Sequence, residues 1–64
     1  MKVTELIDLL EAHGWVHVRT RGSHRQFRHP IMRRIVTVAG KPSADIPPGT
    51  LNHALKQAGL KKKG

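Results

Sequence analysis

Apolar positions follow two different rhythms along this chain of 64 residues. Near the start, Val3, Leu6, Ile7 and Leu10 keep the i, i+3, i+4, i+7 spacing of one helical face. Thr4 is suited to cap that helix, because its hydroxyl accepts an otherwise unpaired amide of the first turn. Glu5 and Asp8 lie near the positive end of the helix dipole. Gly14 supplies a left-handed ending, and Trp15 after it is set to fold back over Leu10.

The rhythm then changes to period two. Trp15–Arg19 alternates, with Val16 and Val18 on one side and His17 and Arg19 on the other. Thr20-Arg21-Gly22-Ser23 reads as a turn, with Gly22 free to take positive φ. A second strand runs over His24–His29 and stops at Pro30, which cannot donate to a ladder. A third, Arg34–Val38, is rich in β-branched residues. A turn centred on Arg21-Gly22 pairs Arg19 with His24 and His17 with Gln26. One centred on Ile31-Met32 pairs Arg28 with Ile35 and Gln26 with Thr37. In that register Val16, Phe27 and Val36 share an apolar face with Val18 and Val38. His17, Arg19, His24, Gln26, Arg28 and Thr37 occupy the opposite face. Arg25 falls on the core side and must reach water near the sheet edge.

Helical spacing returns after a connection over residues 39–45. From about Pro48 to Ala58, Leu51, Ala54, Leu55 and Ala58 form a stripe, and Gly59-Leu60 repeats the ending of the first helix. The predicted order is α-β-β-β-α, an α+β fold with two helices on one face of a three-stranded antiparallel sheet. Residues 1–60 read as one domain, and Lys61–Gly64 as a basic, disordered tail.

Charge distinguishes the two faces of this arrangement. Residues 1–14 carry one Lys against three acids, whereas residues 15–64 carry eleven basic groups against Asp45 alone. All six arginines lie between Arg19 and Arg34, and no acid occurs from Ala12 to Ala44. A segment so charged repels itself and pairs with an external polyanion, for which nucleic acid is the leading candidate. The chain holds no Cys, which excludes disulfides, Cys-ligated zinc and thiol nucleophiles. The His spacing gives no metal motif, and neither a metal nor any other cofactor is implied. No membrane span or signal peptide is legible, and the chain reads as a soluble cytoplasmic domain.

Candidate chemistry sits in Gly22-Ser23-His24-Arg25-Gln26-Phe27. An imidazole takes or gives a proton near neutral pH. RNA offers it a built-in nucleophile, the 2′-hydroxyl, whose attack on the adjacent phosphate leaves a 2′,3′-cyclic phosphate and a free 5′-hydroxyl. Arginines nearby stabilise the charge that develops on the phosphorus. By itself, one His in a basic strand reads first as an inert, solvent-facing residue, since the chain has five. Ser23 reads as a turn residue positioning His24, because no acid nearby would orient a Ser–His pair. His17 is a second candidate for proton transfer, with an exposed strand residue as its plainer reading. His29 closes the strand end, and His13 complements the first helix's C-terminal dipole. Trp15 either packs over the helix end, the favoured reading, or stacks on a base.

A resemblance covers nearly the whole chain. Glu5-Leu6-Ile7, Leu9-Leu10 and Gly14-Trp15, then Gly22-Ser23-His24, Phe27, His29-Pro30, Pro48-Gly49-Thr50-Leu51 and Leu55-Lys56-Gln57-Ala58-Gly59-Leu60 resemble the HicA toxin family. The resemblance implies a double-stranded-RNA-binding-like fold and a bacterial or archaeal mRNA-cleaving toxin held inactive by a HicB antitoxin. DNA would enter only through the complex with that antitoxin. The family's catalytic His maps onto His24, with Gly22 and Ser23 shaping its loop. Arg19, Arg21, Arg28, Lys41, His17 and Gln26 are the expected RNA contacts. The sequence departs at Val38-Ala39-Gly40-Lys41, where many relatives carry a Pro and a His. Lys41 is therefore read as a phosphate contact rather than a proton donor. Two other readings of the same residues are a noncatalytic RNA-binding module and a small protein whose charge serves an acidic partner.

Overall fold

The computed structural model describes residues 1–60, so the expected tail of Lys61–Gly64 lies outside the described residues. Five elements follow in the predicted order: α1 (Val3–Ala12), β1 (Val16–Arg21), β2 (His24–Arg28), β3 (Ile35–Ala39) and α2 (Pro48–Gln57). The strands form one antiparallel sheet in the order β1-β2-β3. Both helices pack on the same side, centred on β3. Val3, Leu6 and Leu10 of α1 meet Ala54 and Ala58 of α2 over Phe27, Val36 and Val38 of the sheet. No helix among the described residues is long and apolar enough to cross a membrane.

The helix endings are local and match expectation. The Gly14 amide donates to the Glu11 carbonyl and the Trp15 amide to that of Leu10, at 3.1 and 3.0 Å. Gly59 and Leu60 donate to Lys56 and Leu55 in the same way. These are Schellman endings, which need a left-handed residue after the cap. Gly14 meets that need at φ +92°, and a Cβ there would lie 2.9 Å from Nε2 of His29. Gly14→Ala is therefore expected to cost about 1–2 kcal/mol in backbone strain alone. The steric contact adds to that loss, and thermal unfolding would measure the total.

The start of α1 differs from the expected Thr4 cap. The helix begins at Val3 after Lys2, and Thr4 lies inside the first turn. Val3 and Thr4 instead donate their amides to the carbonyls of Ala44 and Pro42, at 3.0 and 3.1 Å. The Lys2 amide donates to the Glu5 carboxylate at 2.8 Å. The β3–α2 connection thus supplies the acceptors that the first turn lacks. Arg25, on the core side as expected, also braces this connection. Its half-buried guanidinium donates to the Gly40 carbonyl at 3.1 Å instead of simply reaching water.

The β2–β3 register is the predicted one, with Arg28 opposite Ile35 and Gln26 opposite Thr37. That of β1–β2 is not. The turn is Gly22-Ser23, so Arg21 faces His24 and Arg19 faces Gln26. Gly22, at φ +58°, occupies the first central position of a two-residue hairpin loop, where the strand twist favours positive φ. A bulge between His17 and Arg19 then shifts the ladder, leaving His17 opposite Phe27 and Val16 opposite Arg28. Val16 and Val18 were expected in the core and are instead 56% and 50% exposed. The reason is the bulge, which takes Val18 out of the pairing and puts Val16 in the row of Arg28, on the face away from the helices. The helices cover β3, β1 overhangs as an exposed edge, and Trp15 closes the core at that side.

Candidate nucleic-acid interface

The sheet face away from the helices is built of three cross-strand rows. Arg21, His24 and Ala39 form one; Arg19, Gln26 and Thr37 the next; Val16, Arg28 and Ile35 the third. Val18, displaced by the bulge, joins the face beside Arg19, where the two line a shallow cavity of about 280 Å³ with Gln26, Arg28 and Ile35. Arg19, Arg28 and Gln26 are therefore on the face predicted for them, and Arg21, expected in the turn, joins them opposite His24. Lys41 follows the Ala39-Gly40 end of β3, next to the His24 row.

His24 begins the central strand directly after the Gly22-Ser23 loop and is exposed. The Gly40 amide donates to the Ser23 carbonyl at 3.1 Å, which ties that loop to the end of β3. Together with the Arg25–Gly40 contact, this holds the backbone on both sides of His24. Among the described residues its imidazole makes no hydrogen bond.

The other imidazoles are engaged elsewhere or lie off this face. His17 was expected beside His24 but lies on the opposite side of the sheet, because the bulge reverses its parity. Its ring packs on Phe27 at 5.3 Å, and Nε2 lies 2.7 Å from the Thr20 hydroxyl. His29 accepts at Nδ1 from the Ile31 and Met32 amides, so Nε2 donates to the His13 carbonyl at 3.0 Å. That ring meets Trp15 edge-on and braces the loop after β2. His13 donates from Nδ1 to the Leu9 carbonyl. His53 is on α2. Among the described residues no three His, Asp or Glu side chains converge.

Charge is segregated across the two layers. Glu5, Asp8 and Glu11 are exposed on α1, away from the open face. Among the described residues the only ion pair is Lys2–Asp45 at 3.5 Å, an exposed contact worth little to stability. None of the six arginines has an acidic partner there, so their charge is free to act on an external anion. Both aromatic residues, Trp15 and Phe27, are buried, so neither can stack on a base.

Comparison with known proteins is decisive for family. Residues 3–60 match the family model described as the HicA toxin of bacterial toxin–antitoxin. The chain belongs to the HicA toxin family. A solved structure titled "HicA3 and HicB3 toxin-antitoxin complex" contains a chain of the same fold, with TM-score 0.80 and 37% identity. The match covers 98% of this chain and 100% of that one. No curated protein sequence matches. In this HicA-family chain, Val16 and Val18, expected on the core face, join Ile35 on the open one. For Arg21 one signal was available, since glycine favours the first central position of a two-residue hairpin and so pairs Arg21 with His24; no local pattern marks the bulge that exposes the valines.

Proposed function

We propose that this protein is the endoribonuclease toxin of a toxin–antitoxin pair, cutting mRNA without a metal and neutralised by a HicB antitoxin. The observation that carries the reading is His24, an exposed imidazole without a hydrogen-bond partner among the described residues, in one row with Arg21 and amid Arg19, Arg28 and Lys41. His24 removes the proton from a ribose 2′-hydroxyl. The 2′-oxygen bonds to the adjacent phosphorus, the bond from phosphorus to the 5′-oxygen breaks, and a 2′,3′-cyclic phosphate results. The leaving 5′-oxygen takes its proton from solvent, since His24 is the lone imidazole of this open face. The arginines and Lys41 hold phosphates and offset the growing negative charge. Gly22 and Ser23 set the loop. The related chain was solved in a complex with a HicB protein, which supports such a partner here, and the antitoxin acts by covering the basic face.

Incubating the protein with a defined RNA in EDTA and identifying the product ends tests this mechanism. Cyclic phosphate and 5′-hydroxyl ends are the expected result. RNA that is retarded in a gel yet stays intact would favour the noncatalytic RNA-binding module, which the same acid-free basic face would also serve.

A further inference from the structure

The strongest unassigned feature lies at the opposite end of the sheet from His24. The connection between β2 and β3 folds around an open cavity of about 390 Å³ lined by Arg28, Arg33 and Arg34, with Pro30 and Met32 among its walls. No acid lines it, so three arginines border one concavity without a counter-charge.

The cavity is built rather than a chance fold of a loose loop. His29 holds the Ile31 and Met32 amides from inside the loop and ties it to α1 through the His13 carbonyl. Arg34 donates from Nη1 to the Gln57 carbonyl at the end of α2, at 3.3 Å. Met32 leans on the same end, its Cε 3.3 Å from where a Cβ on Gly59 would be. The loop is thus fastened to both helices, and Arg33 is left exposed with no hydrogen bond among the described residues.

Arg28 and Ile35 line this cavity and also the shallow one that contains Arg19 and Gln26. The two cavities therefore form a continuous track that leads back toward the His24 row. Four strand residues separate the His24 row from that of Arg28, about 13 Å at roughly 3.3 Å per residue. An RNA strand with one phosphate at His24 can lay a second, a few nucleotides along, into the arginine cavity.

We propose that the Arg28–Arg33–Arg34 cavity is a second RNA phosphate subsite, which makes cleavage depend on substrate length. The proposal rests on the ribonuclease reading above. Arg33 is the group that reports on it, because Arg34 also supports α2 and Arg28 belongs to the open face. Wild type, Arg33→Ala and Arg33→Lys would be compared on an RNA dinucleotide and on a DNA oligonucleotide carrying one central ribonucleotide, with melting curves as a folding control.

On the oligonucleotide, Arg33→Ala is expected to lower kcat/KM about tenfold, the worth of one charge-assisted contact. Arg33→Lys should restore part of the loss, and the dinucleotide should be cut at the wild-type rate. Equal loss on both substrates, or no loss on either, would overturn the subsite. A 2′-O-methyl oligonucleotide, which cannot be cut, separates the two hypotheses. Its affinity should fall about tenfold with Arg33→Ala, and its log–log salt slope by about 0.7, one phosphate contact on a single strand. If wild type cuts neither substrate but this binding difference holds, the ribonuclease reading fails and the subsite stands. If binding is unchanged by Arg33→Ala, the subsite fails whatever the cleavage result.

Discussion

Replacing His24 by alanine is expected to lower RNA cleavage by about 10²–10⁴-fold, the range typical of losing a general acid or base. Folding should be unaffected. The side chain is exposed and makes no hydrogen bond among the described residues, so stability should change by no more than about 0.5 kcal/mol. RNA retention in a gel should persist, because the arginines that supply phosphate attraction remain. Antitoxin binding should persist for the same reason. Cleavage assays beside melting curves check both halves of the expectation. A variant that cuts like wild type would remove His24 from the chemistry, and one that fails to fold would make its role structural.

The second large effect concerns stability. Phe27→Ala should cost about 3–5 kcal/mol, the usual result of deleting a buried aromatic ring. Phe27 is fully buried on the central strand, opposite Val36 and in one apolar cluster with Leu6 and Leu10 of α1. A domain of this size has a total stability of about 3–10 kcal/mol, at roughly 0.05–0.15 kcal/mol per residue. The substitution therefore consumes a large share of the folding free energy, and a substantial unfolded population is expected near physiological temperature. Urea denaturation with Phe27→Leu alongside would grade the effect, since leucine refills part of the volume. A loss below about 1 kcal/mol for alanine, the centre of ordinary point substitutions, would mean that the core collapses around the gap.

These two residues lie on the same strand, on opposite faces, and differ in how legible they were. Phe27 belongs to a strand whose alternation and turn length toward β3 both gave the observed pairing, so its burial could be read directly. His24 was visible as a residue type in a basic segment, and its assignment came from a resemblance that the family match now supports at the level of family. Its neighbours were less legible. Arg21 was expected in a turn and proves to sit beside it, whereas His17 was expected beside it and lies across the sheet. The errors have separate origins: the hairpin turn lies one residue later than expected, which brings Arg21 into the ladder opposite His24, and the bulge at Val18 turns His17 to the other face. Moving the turn by one residue shifts the pairing by two and keeps the faces, whereas in a period-two structure the single extra residue of the bulge exchanges the faces of everything beyond it.

What the sequence determined by itself is what short-range physics controls. Helical and strand periodicity set the five elements and their order, left-handed glycines after α1 and α2 set where those helices end, and residues too far apart to neutralise Arg19–Arg34 left that segment positive. Only the tertiary structure decided the remainder. The first turn of α1 is capped by Ala44 and Pro42, about forty residues away along the chain. The β1 valines face solvent because the bulge turns them to the face away from the helices, and Arg25 finds its acceptor at Gly40. An unpaired amide, an uncovered strand edge or a half-buried guanidinium takes whatever partner the assembled fold brings within reach, and no local pattern encodes which one that is.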